Sequence, residues 1–384
     1  MARRNGGFIG TDGLDAPDPP TGVTVSGGTD GVASISFTAP TDTGTSAITG
    51  FIATSSTSVG ATGTSSPISV TGLTLGTAAT FRAYAVNAYG TSAASNVTSS
   101  ITPAAGLGLF FGGASNSVVI DFVTISTTGN ATDFGDLTTG TTAGAAVGST
   151  TRGVMSGIGG APDIQYVTFS TAGNASDFGD STTNGTKSNA GSNSTRGLFF
   201  AGVPSGYHNV VDYITIGSTG NATDFGDVTN ASGGGAGFAS TTRAIYGGGE
   251  AGGSNRYNTI DYFTIASTGN ATDFGDLSAV SENVNGCSSN SRGLFVSVGQ
   301  SEVIEYITIA STGDTTDFGD LTASVSNMNG CTTNNTKAAM HRTGDTIETV
   351  TIATTGNATD FGDLTVSRSN RTCATSGSHG GIAA

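Results

Sequence analysis

The 384-residue chain contains no tryptophan, only two lysines (Lys187 and Lys337), three cysteines, and 11% charged residues. Each shortage excludes something. Thirteen Lys and Arg stand against 28 Asp and Glu, for a net charge of −15. No basic cluster exists to neutralise nucleic-acid phosphates or an anionic membrane surface, so neither is expected as a partner. No apolar run approaches the roughly 18 residues of a membrane-spanning helix. Cys287, Cys331 and Cys373 are too few, and odd in number, for a disulfide framework. The stretch 1–15 carries Arg3 and Arg4 but no apolar segment, so no secretory signal is expected there.

What is abundant is glycine, 61 residues, and serine plus threonine, 109. These are poor helix formers. The 35% of apolar residues fall in short, regularly spaced runs, so the chain is not disordered by composition. The combination predicts an all-β protein with many turns.

Three segments are expected. Residues 1–16 form a Gly-rich arm whose few anchoring side chains, Arg3, Arg4, Phe8 and Ile9, are candidates for docking on a partner. Residues 17–103 open with Pro17, Pro19 and Pro20 and close at Pro103. They hold about seven short alternating runs, among them Val32-Ile35-Phe37, Ile68-Val70 and Phe81-Ala83-Ala85 (or the opposite face, Tyr84-Val86). This pattern predicts an antiparallel β-sandwich. The segment resembles a fibronectin type III domain through Pro19 to Val23, the Ser36-Phe37-Thr38-Ala39-Pro40 strand end, and Gly72-Leu73 leading to Phe81 through Tyr89-Gly90. Phe37 stands where that family has its core Trp, and Ala79 where it has its corner Tyr.

Residues 104–384 are dominated by a repeat. Asp-Phe-Gly-Asp occurs at 133–136, 177–180, 224–227, 273–276, 317–320 and 360–363, at spacings of 44, 47, 49, 44 and 43. A strand and a Thr-Gly-Asn-Ala-Thr-like turn precede each copy. Upstream lies an apolar run opened by a cation: Arg152, Arg196, Arg243, Arg292 and Lys337. Such periods indicate β-propeller blades. The unit resembles a kelch repeat through Phe110-Phe111-Gly112-Gly113, Ile245-Tyr246-Gly247-Gly248, the strand tyrosines Tyr213, Tyr262 and Tyr306, and the phenylalanines Phe134, Phe178, Phe225, Phe274, Phe318 and Phe361, which occupy the family's usual Trp position. Six blades are expected. Cys287, Cys331 and Cys373, nine or ten residues after Leu277, Leu321 and Leu364, are placed at one repeat position with Val147, Gly191 and Phe238. Residues 369–378 then supply the strand missing from the first blade and close the ring without an open edge.

The six phenylalanines are expected to be buried between blades, with each Asp pair framing a tight turn; calcium at these turns is the lesser alternative. The cations are expected to pair with an Asp or with strand-end carbonyls of the next blade. The cysteines read as small buried hydrophobes rather than ligands of a soft metal. His208, His341 and His379 share no metal-ligand spacing. Asn130, Asn174, Asn221, Asn270 and Asn357 head sequon-like triplets that recur with the blade, so turn geometry explains them. A kinase is excluded because Asp-Phe-Gly recurs without a phosphate loop. A sialidase-type propeller lacks its Trp-bearing turns here, and copper-oxidase ligands are absent. No catalytic residue, metal site or cofactor is expected.

What remains is a display platform. The order of arm, fibronectin-like spacer and repetitive Thr/Gly/Asn-rich β domain resembles structural proteins of tailed bacteriophages, marine ones especially. That resemblance implies a non-enzymatic virion protein, made in the host cytoplasm and present in multiple copies. It would bind capsid or tail proteins through the arm, as a head decoration or tail appendage. The alternatives are a fibre module that recognises a host-surface glycan and an exported bacterial adhesin.

Overall fold

The computed structural model describes residues 15–382, except 30, 75–76, 102, 104–105, 114–115, 142, 184–188, 204–205, 253–254, 326–329 and 369–371. Arg3, Arg4, Phe8 and Ile9 lie outside the described residues, as does Lys187. The protein is all-β. Among the described residues the helical structure amounts to two 3-10 turns, Ile158–Gly160 and Val298–Gln300. The chain divides into two compact units, residues 1–105 and 106–383.

The first unit has seven strands: β1 (Thr21–Thr29), β2 (Val32–Thr38), β3 (Ile48–Ser55), β4 (Gly60–Gly63), β5 (Ile68–Val70), β6 (Phe81–Asn87) and β7 (Gly90–Thr91). They form two antiparallel sheets, β1-β2-β5 and β4-β3-β6-β7. Period-two alternation turns Ala33, Ile35 and Phe37 from one sheet toward Phe51, Ala53, Phe81, Ala83 and Ala85 from the other, so all share one core. The buried face of β6 is therefore the Phe81 face, not that of Tyr84. Phe37 tilts against Phe51 with ring centroids 4.8 Å apart. Beyond β7 the chain meets β6 at every third residue. Ser92, Ser95 and Thr98 donate their backbone N–H groups to Ala85, Ala83 and Phe81. Their hydroxyls accept the N–H groups of the same three residues. Side-chain oxygens thus occupy acceptor sites that a regular strand would fill with carbonyls.

The second unit contains six four-stranded antiparallel sheets. In each, a short first strand is followed outward by a second strand, opened by a cation in sheets II to VI, a third strand, bearing an aromatic in sheets I to V, and the Asp-Phe-Gly-Asp strand. The first strands are Cys373–Ser376 in sheet I, Ala145–Gly148 in II, Asn189–Ser192 in III, Ala236–Ala239 in IV, Asn285–Ser288 in V and Cys331–Thr333 in VI. Sheets II to VI are each built from consecutive strands. Sheet I takes its first strand from the C-terminus, with Cys373 to Ser376 opposite Phe111 to Gly108. Each first strand lies beside those of its two neighbours, and sheet VI returns to sheet I. The approach is close. A Cβ on Gly191 would lie 2.7 Å from the Phe238 carbonyl oxygen, and one on Gly330 would lie 3.0 Å from the Ala374 nitrogen.

Strand pairing corrects the register expected for the cysteines. Cys287 pairs with Leu294, two places after Arg292. The corresponding residue of sheet VI is Thr332, which pairs with Ala339. In sheet I it is Thr375, which pairs with Leu109. Cys331 and Cys373 sit one and two places earlier on their strands. Counting from the outer-strand leucine fails because the intervening loops differ in length.

Candidate functional site

The repeat motif forms a clasp between sheets, and the clasp explains its sequence. Asp-Phe-Gly-Asp is not a tight turn, as expected; it lies in the outer strand and carries a β-bulge. The bulge falls between Asp133 and Gly135 in sheet I, with equivalents in the other sheets. Phe134, Phe178, Phe225, Phe274, Phe318 and Phe361 are 2–3% exposed. Five of them meet an aromatic of their own sheet edge-on, as Phe178 meets Tyr166 at 6.0 Å.

The glycine of each motif takes the turn of the following sheet directly against its backbone. At Gly226, with φ +146°, a Cβ would lie 2.4 Å from the Gly269 carbonyl oxygen. The turn then locks on. Gly269 and Ala271 donate N–H groups to the carbonyls of Phe225 and Asp227. The Asn270 side-chain oxygen accepts the Asp227 N–H at 3.2 Å. Asn174, Asn221, Asp314 and Asn357 do the same for Asp136, Asp180, Asp276 and Asp320. The sixth clasp joins the ends of the unit: Asn130 of sheet I accepts from Asp363 of sheet VI at 3.2 Å.

A second tie was not foreseen from the sequence. The third strand of each sheet buries a polar residue at the same register position: Asp121, Gln165, Asp212, Asp261, Glu305 and Glu348, all at most 3% exposed. Each carboxylate accepts both the N–H and the hydroxyl of the Ser or Thr that follows the motif in the preceding sheet, whereas Gln165 accepts the Thr138 N–H through its side-chain oxygen and donates its amide N–H to the Thr138 hydroxyl. Asp261 takes the Thr229 N–H and hydroxyl, both at 2.7 Å. Asp121 takes those of Thr365, which closes the cycle. Equivalent bonds join Asp212 to Thr182, Glu305 to Ser278 and Glu348 to Thr322. Desolvation raises the Asp261 carboxyl above its ordinary range, against the lowering effect of the two Thr229 hydrogen bonds. The signal was in the sequence, as a polar residue amid Ile, Val and aromatic neighbours at the spacing of the repeat.

The cations tie the same sheets at another level. Arg152, Arg196, Arg243 and Arg292 donate to the carbonyls of Ile216, Ile265, Ile309 and Ile352 in the next sheet. Their guanidinium groups lie 4.3–4.6 Å from the rings of Tyr166, Tyr213, Tyr262 and Tyr306. The bonds drawn here go to carbonyls, the second of the two expected pairings. Sheet VI has Thr349 in place of the tyrosine, and there Lys337 reaches the Ser126 carbonyl at 3.2 Å. Sheet I has Leu107 in place of a cation. The junction of sheet VI with sheet I contains, besides the Lys337 bond, a buried ion pair, Arg368 to Asp121 at 2.7 Å, with Arg368 also donating to the Phe110 carbonyl.

Where the first strands converge lies a cavity of about 60 Å³. Asn189, Cys287, Cys331, Thr332, Cys373 and His379 are among its lining residues. Asn189 donates to Asn285 across it at 3.2 Å. The residues after the last strand close one end. Gly380 donates to the Ser288 carbonyl at 3.0 Å, and a Cβ on Gly381 would lie 1.6 Å from the Ser192 carbonyl oxygen.

His379 and Ser192 are 3.1 Å apart, the spacing of a nucleophile and its base. Their other partners exclude that chemistry. His379 Nε2 donates to the Gly148 carbonyl at 2.9 Å, while Nδ1 accepts the Gly381 N–H at 3.1 Å. Nε2 therefore carries the hydrogen and cannot take a proton from Ser192, whose hydroxyl donates to the same carbonyl. Burial lowers the His379 pKa to about 4. His341, fully buried, is also lowered to about 4 by desolvation and is held by Thr372 and the Gly344 carbonyl. His208 opens a strand of sheet III, away from both.

No family model and no curated protein matches this chain. Solved structures with similarity include a crystal structure of titin domains, 28% identical over 24% of this chain and 33% of that one, with a TM-score of 0.22. The twitchin kinase region of C. elegans is 21% identical over 23% of this chain and 17% of that one. The titin kinase with its flanking domains is 20% identical over 29% and 28%. Both have a TM-score of 0.22. The chain spans a third or less of the length of these structures.

Proposed function

We propose that residues 106–383 form a six-bladed, kelch-like β-propeller, that residues 17–103 form a fibronectin type III-like spacer, and that the chain is a non-enzymatic display protein on the surface of a tailed-phage virion. The observation that carries this reading is the cycle of clasps. Six equivalent contacts run from sheet to sheet, and the last, Asn130 with Asp363, joins the two ends of the repeat array. A ring closed in this way is rigid and presents its loops from fixed positions. The repeated side chains are occupied with holding sheets together, and the Ser192–His379 pair is in the wrong tautomer for catalysis. The virion setting rests on the resemblance of the arm, spacer and repeat to phage structural proteins. In this reading residues 1–16 dock the protein on capsid or tail.

The test is localisation by cryo-electron microscopy or immunogold on particles from the source lysate. Density at regular lattice positions supports decoration. Density at a fibre tip favours host-glycan recognition by the loops, to be followed by binding to a glycan array. Absence from every particle overturns the virion reading in favour of an exported adhesin.

A further inference from the structure

Cys287 and Cys331 stand on neighbouring first strands, in sheets V and VI. Both are buried in one apolar cluster with Leu294, Ile304 and Met340. Both line the central cavity. Cysteines on adjacent strands bond to one another by side-chain rotation when their Cα atoms lie within about 7 Å. Cys373 lies on the far side of sheet VI in a different cluster, with Phe111 and Met155. The three cysteines are thus a pair and a single residue.

We propose that Cys287 and Cys331 are a peroxide-reactive pair that forms a disulfide at the axis and covalently joins sheet V to sheet VI. One thiolate attacks an oxygen of hydrogen peroxide. The O–O bond breaks, and the products are a sulfenic acid and, after proton uptake, water. The second sulfur then attacks the sulfenic sulfur. The S–O bond breaks, hydroxide leaves, and the thiol proton converts it to a second water. In sum, two thiols and one hydrogen peroxide give one disulfide and two waters. Burial selects the oxidant by size: with the two thiols only 5–6% exposed, a two-oxygen molecule reaches them more readily than a peptide disulfide does. Burial, with the neighbouring Cys287, pushes the Cys331 thiol well above its ordinary value, so the reaction is slow at neutral pH and accelerates as pH rises.

The test uses the full-length protein. Samples are treated with hydrogen peroxide or, in parallel, with glutathione disulfide. They are then denatured, alkylated, digested and mapped by mass spectrometry. The expected result with peroxide is a cross-linked peptide pair containing Cys287 and Cys331, with alkylatable thiols falling from three to one and Cys373 remaining free. Glutathione disulfide should react at least about tenfold more slowly, because access is limited by size. Cys373→Ser should leave the cross-link intact, and Cys287→Ser or Cys331→Ser should abolish it. Mapping of the unsubstituted protein decides the matter even if a variant fails to fold. Three thiols surviving peroxide, a sulfinic acid on one cysteine without a cross-link, a bond to Cys373, or equal rates with the two oxidants would each overturn the proposal.

Discussion

At the residue scale, the most demanding positions are those where a side chain has no room or no water. Gly226 is one of six such glycines, and the backbone of the next sheet fills the space its Cβ would need. Gly226→Ala should destabilise the second unit by about 1–3 kcal/mol in urea unfolding. Gly220→Ala should cost less, because a Cβ there meets nothing within 4 Å although the backbone angle is equally unusual. Arg368 presents the electrostatic counterpart. Arg368→Ala strands Asp121 in a site closed to water and should cost about 3–5 kcal/mol; the double replacement Arg368→Met with Asp121→Leu should recover most of that loss. The histidines set the acid response. His341 and His379 are held neutral down to a pKa of about 4, against 6.5 when unfolded. Between those values the unfolded chain binds protons that the folded chain refuses. Stability should therefore be level above about pH 6.5 and decline toward pH 4, by up to about 1.4 kcal/mol per pH unit for each histidine. Asp261 acts in the opposite sense: its raised pKa favours the folded state in acid. Urea midpoints at pH 7.5, 6 and 5 measure the slope. His341→Gln should reduce it, and an unchanged slope would reject the assignment.

At the element scale, the strand Cys373–Ser376 matters more than its four residues suggest. Without it, the strand Leu107–Phe111 has an unpaired edge, the axis loses the segment that carries His379, and Thr375 no longer packs beside Leu109. Deleting residues 372–384 should abolish cooperative thermal unfolding of the second unit, or yield protein that binds a hydrophobic dye and aggregates. A truncated protein with the same sharp transition would show that sheet I is stable with three strands. The clasp is also an element-scale device. The turn Thr-Gly-Asn-Ala-Thr and the strand Asp-Phe-Gly-Asp-Leu were legible as a repeat, but as neighbours in sequence they suggested a turn with its own flanks. Their partners are copies of each other one sheet away, about 40 residues distant in sequence. A contact that skips a period leaves no local trace.

At the scale of the whole molecule, the two units have separate cores, one formed by two facing sheets and one distributed between six. Residues 15–105 and 106–384 produced separately should each unfold with a transition matching one of two seen in calorimetry of the full chain. A single transition that disappears on separation would show that neither unit is stable alone. The second unit should be the slower to fold, since its closure joins segments more than 200 residues apart, as in Asn130 with Asp363 and Asp121 with Thr365.

The sequence by itself determined the all-β class, the position of the division near residue 104, the six copies of the repeat, and the need for a C-terminal strand to pair with the segment after Gly106. Composition, period and the absence of a seventh motif are sufficient for these, because each is a property of the chain read in order. Only the tertiary structure decided what the repeated side chains touch. It showed that Asp261 and its equivalents bind the preceding sheet, that the arginines face carbonyls and tyrosine rings, that the bulge glycines admit a neighbouring backbone, and that Cys331 and Cys373 are out of register with Cys287. The physical reason is the same in each case. A strand's alternation fixes which side chains leave each face, but the partner across that face belongs to another sheet, and variable loops set the register between the two.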